Sequence, residues 1–294
     1  MLDIQFFNQL LIDRRKGNLY LFRTNLVEIV DLKRMEQKDL ITTTRTVSLY
    51  SMSLGYDQDG NTEIYSSNGE KILVFDGENL QIKDTIYNIP RGKLIYSTAT
   101  DEHSNIFFTE ADSVSKYDPL TRNISKFGSN GTFQEAIQVT RDGKTIIAGT
   151  GFTYMFQYRI DQNDKILSIK KSQSFIDFST RNFKLANAEP TIVAGNSGSI
   201  YAEDFILQKH LGNEVEGYVG SVFDDNDKFI YSIGGINNFI FRFENKAGYK
   251  FIDRIFVRNN ASHIFVYEGN IFTIGNFVDP TTGFNSLLLE RVYI

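Results

Sequence analysis

One short pattern returns seven times along the chain: a turn residue, then three or four apolar or β-branched residues. It reads Asn18-Leu19-Tyr20-Leu21, Asn61-Thr62-Glu63-Ile64-Tyr65, Asn105-Ile106-Phe107-Phe108 and Lys144-Thr145-Ile146-Ile147 in the first half. It continues as Pro190-Thr191-Ile192-Val193, Lys228-Phe229-Ile230-Tyr231 and Asn270-Ile271-Phe272-Thr273. Successive copies are 43, 44, 39, 46, 38 and 42 residues apart. A fixed period of this length marks a repeat architecture. Each copy follows an apolar segment and a turn such as Lys16-Gly17, Asp59-Gly60, Asp142-Gly143 or Glu268-Gly269. Asp-Gly between apolar runs signals a hairpin, because glycine takes a positive φ without a Cβ clash.

After the pattern come a polar loop and a third segment, as in Val27–Val30, Ile72–Phe75, Val114–Tyr117, Met155–Tyr158 and Phe239–Phe243. A fourth comes after it, as in Gln81–Ile86, Asn123–Phe127, Ile166–Ile169 and Phe251–Ile255. Four strands per unit and seven units predict an all-β chain, a seven-bladed β-propeller of four antiparallel strands per blade. No segment sustains the 3.6-residue period of a helical repeat. The expected blades are residues 8–44, 45–89, 90–129, 130–175, 176–213, 214–258 and 259–294, within a single domain spanning 1–294. The last blade lacks a fourth strand of its own. Ile4-Gln5-Phe6-Phe7, ahead of the first inner strand, is expected to complete it, so residues 1–7 belong to that blade. Such pairing removes an open sheet edge.

Thr140-Arg141-Asp142-Gly143-Lys144-Thr145-Ile146-Ile147 and Ile72-Leu73-Val74-Phe75-Asp76 resemble signatures of bacterial and archaeal YVTN and lactonase-like propellers. That resemblance spans all seven repeats. It implies a closed seven-bladed ring used by surface proteins, lactonases or scaffolds, and fold analogy alone selects none of them.

Composition narrows the chemistry. There are no cysteines, which excludes disulfides, thiolate ligands and a cysteine nucleophile. The net charge is −5 and the longest basic run is Arg14-Arg15-Lys16, a poor match to a nucleic-acid surface. No stretch reaches the roughly 18 apolar residues of a membrane span. The opening Met1-Leu2-Asp3-Ile4 has neither the basic nor the apolar region of a signal peptide. A cytoplasmic location and an extracellular one after removal of a leader both stay open.

Asp57-Gln58-Asp59-Gly60-Asn61 opens like a calcium loop, but glycine falls fourth rather than sixth. It reads as a hairpin turn, and so does Asp224-Asp225-Asn226-Asp227. No metal or cofactor is expected. The three histidines, His103, His210 and His263, fall in blades 3, 5 and 7 without ligand spacing. The Gly-rich Gly195-Asn196-Ser197-Gly198 and Gly149-Thr150-Gly151 lack the strand-to-helix setting of a nucleophile elbow.

Recognition is expected on the face made by inter-blade loops and loops between second and third strands. Candidate binding residues there are Arg23, Arg45, Arg91, Arg181, Arg258, Phe277 and Phe284, because aromatic and Arg side chains dominate hot spots. The loop Gly275–Phe284 is the longest of its class, which points to function. The leading expectation is a monomeric binding or scaffold module for a protein or glycan. The rival is a lactonase-like hydrolase or lyase using Arg and carboxylates at the channel mouth. Glu110, Asp112, Asp177, Glu214 and Glu216 would supply its acids.

Overall fold

Seven four-stranded sheets, antiparallel throughout, make a seven-bladed β-propeller. The computed structural model describes residues 1–43, 51–67, 69–86, 95–110, 113–129, 136–150, 154–172, 183–188, 191–193, 198–202, 205–235 and 238–293. Two compact units emerge, Phe7–Ser174 and a second formed by Met1–Phe6 with Phe175–Ile294.

The recurring apolar pattern is the second strand of each blade. Asn18–Phe22 and Ile106–Glu110 are buried along their whole length, because they lie within the blade and are covered on both faces. Outer strands alternate or lie open, as Glu36–Thr42 does. Adjacent blades meet through apolar clusters. Tyr20, Phe22 and Ile29 of blade 1 pack on Ile64 and Phe75 of blade 2. Tyr65, Val74 and Ile86 of blade 2 pack on Ile106, Phe108 and Tyr117 of blade 3. Phe107 and Phe127 of blade 3 meet Ile146, Phe156 and Tyr158 of blade 4. In the other unit Ile200 and Leu211 join Ile230 and Phe243 across blades 5 and 6. Tyr231 and Ile240 join Val266 and Ile271 across blades 6 and 7.

Turn chemistry fixes the registers. The Oδ1 atoms of Asp31, Asp76 and Asp118 each accept backbone N–H groups two and three residues on, at 2.8–3.4 Å. The fifth residue of each turn then enters the left-handed region: Met35, Leu80 and Arg122, each with φ 58°. Gly17, with φ 72°, fills the same place after Asp13 and avoids the Cβ penalty there.

The closing strand is Leu2–Ile4, paired antiparallel with Leu287–Leu289. It therefore ends earlier than the sequence suggested. Phe6 lies beyond the last paired residue and is 75% exposed, so it takes no part in closure, whereas Phe7 is buried. Among the described residues no helix is long and apolar enough to cross a membrane.

Candidate functional site

Arg45, Arg91 and Arg181, with Asp112 and Asp177, lie outside the described residues. The other candidates have separate surroundings. Arg23 turns inward, with Nη2 3.7 Å from the buried carboxylate of Glu28. Arg258 is exposed; its N–H donates to Glu290 Oε2 at 2.9 Å and its Nη1 lies 3.9 Å from Met1 Sδ. Glu110 is buried, accepts from Ser115 Oγ at 2.9 Å and faces Lys126 Nζ at 3.6 Å. Glu214 pairs with Lys209 at 2.9 Å, and Glu216 is exposed. The histidines stay apart: His103 neighbours Glu102, His210 shares a hydrogen bond with Ser199, and His263 shares one with Ser262. Burial and the Lys184 ammonium pull the His263 imidazole below its ordinary range. Among the described residues no three His, Asp or Glu side chains converge as metal ligands.

Phe277 and Phe284 belong to one hairpin, which the sequence presented as a loop. The strand Asn270–Val278 runs three residues past Gly275, so the loop proper is only residues 279–284. After Gly275 every residue through Val278 keeps its partner, from Asn276 opposite Leu287 to Val278 opposite Asn285. Ile4, Leu287 and Asn276 still stand side by side with Asn260. Above that level only Phe277–Ser286 and Val278–Asn285 pair, as a projecting two-stranded hairpin. Its tip is held by Asp279, whose Oδ1 accepts from Thr281 N–H at 2.7 Å and from Thr282 N–H at 3.2 Å. The Thr281 hydroxyl hydrogen bond and these amides hold the Asp279 carboxyl below the usual range. On that fixed tip Val278 is 57% exposed and Phe284 71%.

A second feature, absent from the sequence reading, is a cleft of about 450 Å³ between blades 2 and 3. Strand periodicity places its floor. Glu63 and Tyr65 share a face of the second strand, and Val74 opposite Tyr65 extends it. Lys83 Nζ donates to Asp57 Oδ2 at 2.6 Å and lies 2.9 Å from Glu63 Oε1. Tyr65 donates its hydroxyl to Glu63 Oε2 at 2.7 Å. Asp57 Oδ1 accepts N–H groups of Asp59 at 3.0 Å and Asn61 at 2.8 Å, so the Asp57–Asn61 segment is a self-capped turn. Burial would raise the Asp57 carboxyl, but hydrogen bonds from Lys83 and Asn61 outweigh it and bring it to about 2. Those carboxylates in turn raise the Lys83 ammonium well above its ordinary range. On the opposite side the Arg15 guanidinium stacks 3.8 Å from the Tyr56 ring centroid.

No family model matches the chain, and no curated protein matches it. Among solved structures it is similar to the Cps50 (Swd1) β-propeller domain of Myceliophteria thermophila. There the identity is 14% and the TM-score 0.61, covering 97% of each chain. It is also similar to a chain of a mitotic checkpoint complex, at 11% identity and a TM-score of 0.66, covering 99% of this chain and 89% of that one. These likenesses show the propeller fold. They give no support to a specifically YVTN or lactonase-like membership. With 1624 solved chains matching, the fold by itself discriminates no function.

Proposed function

We propose that the chain is a protein-binding scaffold that docks a partner on the projecting hairpin of blade 7. The carrying observation is the pair Val278 and Phe284, both more than half exposed on a tip stiffened by Asp279. An aromatic and an aliphatic group held rigidly clear of the blade lose little entropy on docking, which favours an apolar protein groove over a glycan. That one structural neighbour is part of a checkpoint complex accords with a role in assembly. Arg258 is the charged group proposed to act beside them.

The test is a photo-crosslinking residue placed at position 284, with position 268 at the other end of the same blade as control. A discrete product is expected from 284 alone. With the captured partner purified, Phe284→Asp should weaken binding at least about tenfold, as at a hot spot. Crosslinking from 268 alone, or unchanged affinity of Phe284→Asp, overturns the reading.

A further inference from the structure

The cleft between blades 2 and 3 holds a cation cage that is complete without the cation now in it. Asp57 is fixed by the amides of its own turn and by Asn61 Nδ2 at 3.1 Å. Glu63 is fixed by the Tyr65 hydroxyl. Neither anchor involves Lys83. Their carboxylates are only 16% and 11% exposed, so without a cation they would stand as two poorly solvated like charges. Lys83 answers them from the outer strand Ile82–Ile86 with a long side chain that is 40% exposed.

A further group faces the same space. Tyr117 on the blade 3 wall is nine-tenths buried, yet its phenol has no hydrogen-bond partner among the described residues. Charge in the cleft favours a cation, with four carboxylates lining it against three basic side chains. Its volume lies in the about 300–1,000 Å³ range of ligand pockets. Val74, Ile86 and the exposed Leu120 offer apolar surface to an aliphatic stem.

We propose that this cleft receives an arginine side chain of a partner segment, which displaces Lys83 from Asp57 and Glu63. Arginine is favoured over lysine by geometry. A planar guanidinium carries five N–H donors and can engage both carboxylates at once, leaving a donor for the Tyr117 oxygen. An ammonium is a point charge on a mobile stem, and Lys83 can swing into solvent without disturbing the ladder. Lys83 thus acts as a resident placeholder that keeps the cage neutralised while no guest is bound. The site shares no residue with the blade 7 hairpin, so either proposal can fail while the other stands.

The probe is N-acetyl-arginine amide, with N-acetyl-lysine amide as comparison. Lys83→Met opens the cage and should bind the arginine probe at least about tenfold more tightly than the unaltered protein. Adding Glu63→Gln to Lys83→Met should abolish that gain. In the unaltered protein, the arginine probe should speed acylation of Lys83 severalfold, read by mass spectrometry, and the lysine probe should do less. Tighter binding in Lys83→Met together with faster acylation supports displacement. An acylation rate unmoved at saturating probe overturns it, as does a folded Lys83→Met protein that binds no more tightly. If Lys83→Met does not fold, the acylation arm alone decides.

Discussion

The blade 7 hairpin and the cleft of blades 2 and 3 offer opposite bargains to a partner. The hairpin presents apolar side chains already in water, held by a turn whose hydrogen bonds are internal. Docking there gains from removing area from solvent, at about 25 cal/mol per Å² before ordering costs. The cleft presents charges already paired and partly buried. A guest there must exchange one satisfied interaction for another, so selectivity outweighs raw affinity. Recognition by the hairpin should therefore be salt-tolerant, and recognition by the cleft salt-sensitive and particular about its cation.

The largest expected effect separates the two regions by what supports them. The hairpin rises from a ladder whose outer strand is Leu2–Ile4. Deleting residues 1–4 removes three paired positions and the buried Ile4, and it opens the edge of Asn285–Val292. Burying a side chain such as Ile4 is worth about 1.5–3 kcal/mol. With Leu2 and the ladder bonds also lost, melting should fall by roughly 5–10 °C, accompanied by aggregation through the free edge. Hydrogen exchange should show lost protection in residues 285–292, with Thr62–Ser67 beneath the cleft keeping theirs. Unchanged melting would mean that Leu2–Ile4 does not close blade 7.

A smaller effect is expected at Lys83. Its side chain is 40% exposed, so solvent discounts the ion pairs, and Lys83→Met should cost about 1 kcal/mol near neutral pH. The pH dependence is the sharper readout. Asp57 has a folded value of about 2 against an ordinary 3.8. Its carboxylate is favoured in the folded state, so the unfolded chain binds more protons between those values. That contribution is fully present above about pH 4 and is lost as pH falls through about 2. In Lys83→Met the Asp57 value should move up and this acid limb of stability should flatten, followed by melting at stepped pH. An acid limb identical in both proteins would show that the turn amides alone hold Asp57 down.

How far the sequence reached follows the same division. The propeller was legible because its second strands are buried on both faces and so read as apolar runs at regular intervals. The Asp residues ending third strands were legible as turn starters, and each indeed caps its own turn. What those turns do next was not. Met35, Leu80 and Arg122 sit at positive φ without being glycine, so no residue type announces the fifth turn position. The hairpin was half legible: its length and its two Phe stood out, but a long loop and an extended ladder share one composition. The cleft was invisible. Asp57 looked like a turn residue, and it is one. Its second oxygen meets Lys83, 26 residues on, only because that long side chain reaches back from the outer strand across the two strands between. Tyr117 arrives from the next repeat altogether.

The smallest expected effect is at Phe284, and it is the most direct way to break the contrast. A side chain 71% exposed has nearly as much water around it folded as unfolded, so removing it forfeits little burial. The turn beneath it is closed by backbone bonds, Asp279 N–H to Phe284 O at 3.0 Å and Gly283 N–H to Asp279 O at 2.8 Å, which a new side chain leaves intact. Phe284→Ser should accordingly stay within about 0.5 kcal/mol of the unaltered protein, the range of ordinary surface substitutions. Val278→Ser, 57% exposed on the last paired position, should cost slightly more, because serine favours strands less than valine does. Melting measured across protein concentrations checks both. A loss of several degrees in dilute Phe284→Ser would mean that the ring packs on the protein itself in solution. The hairpin would then resemble the cleft, with its recognition surface already occupied from within.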